Sequence, residues 1–236
     1  YEAEEIEKER GVVIEEWRLG RGAGARMRDE MFPVLFKGSR YAERLPIGKK
    51  AVLDTFHHET ARRFYNNWYR PELMAVIAVG DLEEDRIEEL IRSYFADVPE
   101  NEDAPERTYY EVPGHEETLY SVTADSEATN STVSIYHKFP VEKETHVADY
   151  RAGILENIYN GMFNNRLNEL SQQEDPPFVY GYSAKGQFVR TSEFYMLAAM
   201  VKDNGIERGL DVLLTEAERV KQHGFTQSEL DRQKQA

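Results

Sequence analysis

The sequence contains no cysteine. That absence excludes disulfides, thiol nucleophiles and thiolate zinc sites together, and leaves histidine and carboxylate chemistry open. No apolar run approaches the roughly 20 residues needed to span a bilayer, so no transmembrane helix is expected. Positive charge is scarce: 29 Lys and Arg stand against 44 Asp and Glu, a formal charge of −15. So acidic a chain lacks the basic surface that binds nucleic acid or anionic lipid, and both are excluded as partners. A phosphate loop of the Gly-x-x-x-x-Gly-Lys type is also missing. Gly20-Arg21-Gly22-Ala23-Gly24 is glycine-rich but follows a helical pattern where a phosphate loop follows a strand, so it reads as a flexible turn. The sequence opens on Tyr1 inside an acidic helical pattern rather than on an initiator Met or a signal-peptide pattern, and both ends read as cuts through helices.

What is present describes a folded protein. Of the 236 residues, 40% are hydrophobic and 11% aromatic, enough for one large domain or two ordinary ones. The stretch from Pro99 to Glu106 holds two prolines, four acids and no large apolar residue, so it reads as a linker. It separates residues 1–100, with 21 acids and 16 bases, from residues 101–236, with 23 and 13.

In the first segment, residues 2–19 read as a helix with Ile6, Val13 and Trp17 on one side. Residues 20–50, with Pro33 and Pro46, suggest short helices and loops. A helix is expected from Asp54 to Tyr69, stopped by Pro71. The continuous apolar run Met74–Val79, ended by Gly80-Asp81, fits a strand buried on both faces. Ile87, Leu90, Ile91, Tyr94 and Phe95 then mark an amphipathic helix with Asp81 as its N-cap. Helix, buried strand and helix make an α+β or α/β pattern.

The second segment opens with three alternating runs rich in Tyr, Val and Thr, read as strands: Thr108–Val112, Thr118–Thr123 and Thr132–Phe139. Residues 146–170 carry a long helical pattern, broken afterwards by Asp175-Pro176-Pro177. Phe178–Ser183 and Glu193–Val201 read as strands joined through Lys185-Gly186. A helix from Ile206 through Val220 ends at His223-Gly224. Thr226-Gln227-Ser228-Glu229 is a capping box that opens one more.

Two groupings could carry chemistry. A zinc-peptidase helix needs two histidines four apart with a glutamate beside one of them. His57-His58-Glu59 lacks that spacing and reads as a helix surface. Glu9 and Glu16, seven residues apart, share one helix face, and Glu2 and Glu5 extend the stripe. Such a stripe is either a solvated surface or a place where Glu16 binds metal and Glu9 supports it as a second carboxylate. Periodicity does not separate the two.

The wording of that segment adds to its period. Glu9-Arg10-Gly11-Val12-Val13-Ile14-Glu15-Glu16-Trp17 resembles the second zinc-site segment of the pitrilysin/insulinase family of inverted-motif zinc metallopeptidases, which includes insulysin, the mitochondrial processing peptidase and bacterial zinc proteases. The likeness continues in order through Tyr41-Ala42 with Pro46-Ile47-Gly48, Phe64-Tyr65, Tyr69-Arg70-Pro71-Glu72-Leu73-Met74, the run ending at Gly80-Asp81, and Phe95-Ala96-Asp97-Val98-Pro99. It extends through Asn165–Leu170, Gly224-Phe225-Thr226 and Glu229-Leu230. The family's His-x-x-Glu-His helix is not in the sequence.

The resemblance implies an α+β fold of two successive domains, each a mostly antiparallel sheet covered by helices. Residues 1–100 would be the C-terminal part of the catalytic zinc-peptidase domain. Residues 101–236 would be the second, partner domain, truncated at its C-terminus. It implies a zinc-dependent endopeptidase as the parent, with Glu16 as a metal ligand and Glu9 behind it. The general-base glutamate would lie upstream of Tyr1, so the fragment should hold neither a catalytic residue nor its own zinc, and should be inactive. Arg166 and Tyr182, or Tyr180, are similar to an Arg and Tyr that grip substrate in some relatives, although those belong to the C-terminal half of two-half members and capping the core is the favoured role here. The implied partners are a peptide or protein substrate laid along a sheet edge, the missing N-terminal and C-terminal parts of the same chain, and a second copy in a homo-oligomer. A bacterial periplasmic location follows by analogy. Two alternatives stay open: a non-catalytic family member serving as scaffold or partner subunit, and an acidic peptide-binding module without metal.

Overall fold

The longest uninterrupted apolar run of the chain, Phe194 to Val201, lies in the middle of its sheet, where both faces of a strand are covered. The computed structural model describes residues 1–235, which form two units. The first unit holds Tyr1–Arg21 and Arg44–Thr108; the second holds Gly22–Glu43 and the chain from Tyr109 onward.

The second unit contains the sheet. Strands β1 (Ser131–Pro140), β2 (Tyr180–Val189) and β3 (Ser192–Val201) are antiparallel in the order β1-β3-β2. Helix α6 (Val147–Ser171) connects β1 to β2, and α7 (Ile206–His223) follows β3. Leu197, Ala199 and Val201 alternate to one face of β3 and pack with Phe163 and Leu167 of α6 and Leu213 and Val220 of α7. Helix α7 lies so close to the sheet that a Cβ on Gly209 would stand 2.6 Å from Val201 Cγ1. On the opposite face Tyr136, Phe188 and Phe194 form an aromatic cluster that includes Phe36, the buried residue after α2 (Ala23–Leu35). The first turn of α2 is tied down by Arg26, which donates to both carboxylate oxygens of Asp125, at 2.6 and 2.7 Å.

The stops behave as their residues require. Gly224 ends α7 at φ 66°, a left-handed conformation that favours glycine. Thr226 and Glu229 form the reciprocal capping box of α8 (Gln227–Gln233). Asn164 of α6 does something less common. Its side-chain amide accepts from Ser183 N–H at 2.6 Å and donates to Ser183 C=O at 3.0 Å, so it pairs both backbone groups of one β2 residue.

The first unit contains α1 (Ala3–Leu19), α3 (Lys50–Thr55), α4 (His58–Trp68) and α5 (Glu84–Phe95). Helix α1 buries Ile6, and α4 stops three residues before Pro71.

Four sequence expectations need correction. Met74–Val79 belongs to no helix or strand and, among the described residues, has no ladder partner, and Ile77 and Val79 are 83% and 92% exposed. An apolar run states that a segment requires cover; it does not supply the neighbouring strand that provides it. For the same reason Thr108–Val112 and Thr118–Thr123 form no ladder, with Tyr120 and Val122 facing outward. The turn between β2 and β3 is not at Lys185-Gly186. Gly186 sits inside β2 opposite Phe194, and the hairpin closes after Val189, beyond an irregularity at Gln187. Finally, α5 begins at Glu84 and its N-cap position is Glu83, so Asp81 does not cap it.

A carboxylate face on the first helix

Helix α1 carries six acids, with Glu2 just ahead of it, and their partners divide them. Glu4 and Glu5 pair with Lys8, Glu7 with Arg10 and His58, and Glu15 with Arg18. Glu9 and Glu16 are exposed and, with Glu2 ahead of the helix, have no side-chain partner among the described residues. At 100° per residue the three fall within about 40° of each other, on one stripe. The stripe is bordered by Val12 and Leu19, both exposed, which share an open depression with Glu16.

The adjoining flank of α1 is held. Arg10 sits among Ile6, Val13 and Trp17 on the inward stripe, its side chain only 12% exposed. Its guanidinium donates to the carbonyls of Leu53 and Phe56, the latter at 2.8 Å, at the C-terminal end of α3. It also donates twice to Glu7, each at 3.0 Å, and stacks 4.0 Å from the centroid of the Phe56 ring. Glu7 in turn meets His58 Nε2 at 2.5 Å, and Arg10 and His58 together hold its carboxyl below the usual carboxylate range. His58 of the His57-His58-Glu59 doublet is therefore spent on a helix–helix contact. Sequence reasoning missed this cluster, although an arginine on the apolar stripe of an amphipathic helix was its signal.

The carboxylates fit the donor chemistry of a divalent cation, and Glu16 would hold it with Glu9 behind. A zinc centre takes three protein ligands or four. No group of three His, Asp or Glu side chains placed to hold a metal occurs among the described residues. A single carboxylate is fewer protein donors than such a centre takes.

Arg166 and Tyr182 lie in the second unit and are not brought together. Arg166 of α6 donates to Glu216 of α7 at 3.0 Å, to Glu229 of α8 through Nε and Nη2, and to the Gly224 carbonyl at 3.1 Å. It also stands 4.8 Å from the centroid of the Phe225 ring. Tyr182 alternates to the sheet face away from α6, half-buried and stacked on the exposed Tyr180 at 5.6 Å.

A family model described as Peptidase M16 inactive domain matches residues 55–236. The chain belongs to the pitrilysin/insulinase, or M16, family of peptidases. Glu9 and Glu16 precede the matched M16 residues. The chain is 41% identical over 176 residues to a zinc protease PQQL-like protein of Arabidopsis thaliana, covering 74% of this chain and 18% of that protein. It is 27% identical over 234 residues to the probable zinc protease PqqL of Escherichia coli, covering 98% of this chain and 25% of that one. Among solved structures it resembles the first half of the periplasmic protease PqqL from Escherichia coli, with a TM-score of 0.85 at 25% identity, over 98% of this chain and 49% of that one. The chain spans a quarter or less of the length of these M16 relatives. No helix among the described residues is long and apolar enough to cross a membrane.

Proposed function

We propose that this chain is a segment of a zinc-dependent M16 endopeptidase and contributes one carboxylate ligand, Glu16, to a metal centre completed by residues outside the sequence. The observation that carries the reading is the division of the acids on α1: those off the stripe are paired, and those on it are free. Glu9, about 10 Å along the axis from Glu16, adds negative charge behind the ion. Residues 1–100 form the later part of the catalytic domain and residues 101–236 the partner domain. The segment alone is inactive. Its substrate is a peptide or protein, and its compartment, by likeness to PqqL, is the periplasm. We assign Arg166 to holding the fold, because its donors are spent internally, and leave Tyr182 with Tyr180 as the substrate-facing candidates.

Calorimetric zinc titration of the full-length protein tests the ligand assignment. Glu16→Gln should weaken binding by more than the roughly 10–100-fold typical of losing an outer partner. Unchanged affinity refutes the assignment. A non-catalytic scaffold subunit is the second reading, favoured by the match of residues 55–236 to a domain described as inactive. A full-length sequence without His-x-x-Glu-His ahead of Glu9 would establish that reading and end the first.

A further inference from the structure

We infer that Arg10 is a positioning residue that sets the rotation of α1 and thereby the aim of Glu16; the inference rests on the reading of Glu16 as a ligand. Helix α3 has only six residues, too few to persist alone, and its terminal carbonyls need donors. Arg10 supplies them at Leu53 and Phe56. Hydrogen bonds are directional, so this clamp fixes α1 about its own axis. The remaining contacts of the inward stripe, Ile6, Val13 and Trp17, are largely apolar and tolerate rotation. Glu7 grips the guanidinium at Nε and Nη2 and is itself gripped by His58 of α4, which leaves Arg10 no alternative fork geometry.

The lever is short and sensitive. Arg10 is about 100° from Glu9 and about 120° from Glu16 around the helix. With side-chain tips about 6 Å from the axis, a rotation of about 20° moves the Glu16 carboxylate about 2 Å. That displacement equals a whole zinc–oxygen bond of about 2.0–2.2 Å. Losing the clamp should therefore be felt at the metal although Arg10 never touches it.

The test uses the full-length protein, zinc competition against a chromophoric chelator, and the visible absorption of the cobalt-substituted form. Arg10→Ala should lower zinc affinity about 10–100-fold and alter the cobalt spectrum. Arg10→Lys, which keeps the charge but not the fork, should restore less than half of the loss on a logarithmic scale. Arg18→Ala, at an exposed residue paired among the described residues with Glu15 alone, should leave both readouts unchanged. If Arg10→Ala fails to fold, Glu7→Gln reads the same quantity by releasing one side of the guanidinium. A folded Arg10 variant with wild-type affinity and spectrum, beside a Glu16→Gln that loses affinity, overturns the positioning role and spares the ligand. Glu16→Gln with unchanged affinity removes both.

Discussion

Arg166→Ala is the substitution whose cost the structure defines best. The arginine joins three helices: it grows from α6, pairs with Glu216 of α7 and grips Glu229 of α8 with two nitrogens. Side-chain exposure is 16% for Arg166, 3% for Glu216 and 14% for Glu229, so the three charges are largely out of water. Removing one partner of a buried pair costs about 3–5 kcal/mol. Arg219 remains 2.9 Å from Glu216 and offsets part of the loss, which places the expectation near the lower end, about 3 kcal/mol. In a protein of this size that lowers the melting temperature by about 6–12 °C.

Urea unfolding followed by far-ultraviolet circular dichroism measures it, and the pH dependence adds a second signature. Arg166 first, and the cap bonds from Thr226, hold the Glu229 carboxyl down to about 2 from an ordinary 4.5. Between those values the unfolded chain binds more protons than the folded one, so stability rises with pH there. The contribution is complete above about 4.5 and is lost as pH falls through about 2. Arg166→Ala should flatten that slope. A loss below about 1 kcal/mol together with an unchanged acid limb would mean the network behaves as a surface pair, and the reasoning would be wrong.

Other outcomes follow from the same geometry. Gly209→Ala should destabilise by about 1–3 kcal/mol despite alanine's better helix propensity, because Val201 is stiff and buried; a neutral result in thermal melts would show that α7 can lift. Leu167→Ala, at a fully buried position, should cost about 2–5 kcal/mol by denaturant titration. Asp125, held to about 2 chiefly by Arg26, should titrate there by carboxyl NMR, and Arg26→Ala should return its midpoint towards 3.8. The isolated chain should retain no stoichiometric zinc after dialysis, read by atomic absorption, and bound metal at one per chain would refute the incomplete donor set.

The legible parts of the fold were those specified by neighbours in sequence. The α7 stripe, its Gly224 stop and the Thr226–Glu229 box are local, and they stand as their residues imply. The segments misread were those whose state depends on a distant partner. Met74–Val79 carries the pattern of a covered strand, yet nothing within it can say whether another strand lies alongside. Gly186 read as a turn because glycine permits one, while pairing to β3 kept it in the ladder. At the candidate site the spacing of Glu9 and Glu16 was visible, but a heptad of glutamates looks the same solvated or ligating. Which of the acids have found a cation depends on Lys8, Arg10, Arg18 and a histidine about fifty residues away, and the spacing is silent on that.

The pairing of Asn164 with Ser183 gives the sheet a direction. With both outward backbone groups of that residue already satisfied by a side chain, β2 carries a plug where a fourth strand would begin to zip. The β1 side carries no such plug among the described residues, so a further strand would meet less competition for its hydrogen bonds at β1. One amide on a helix thus decides which margin of the sheet is a boundary and which is a seam.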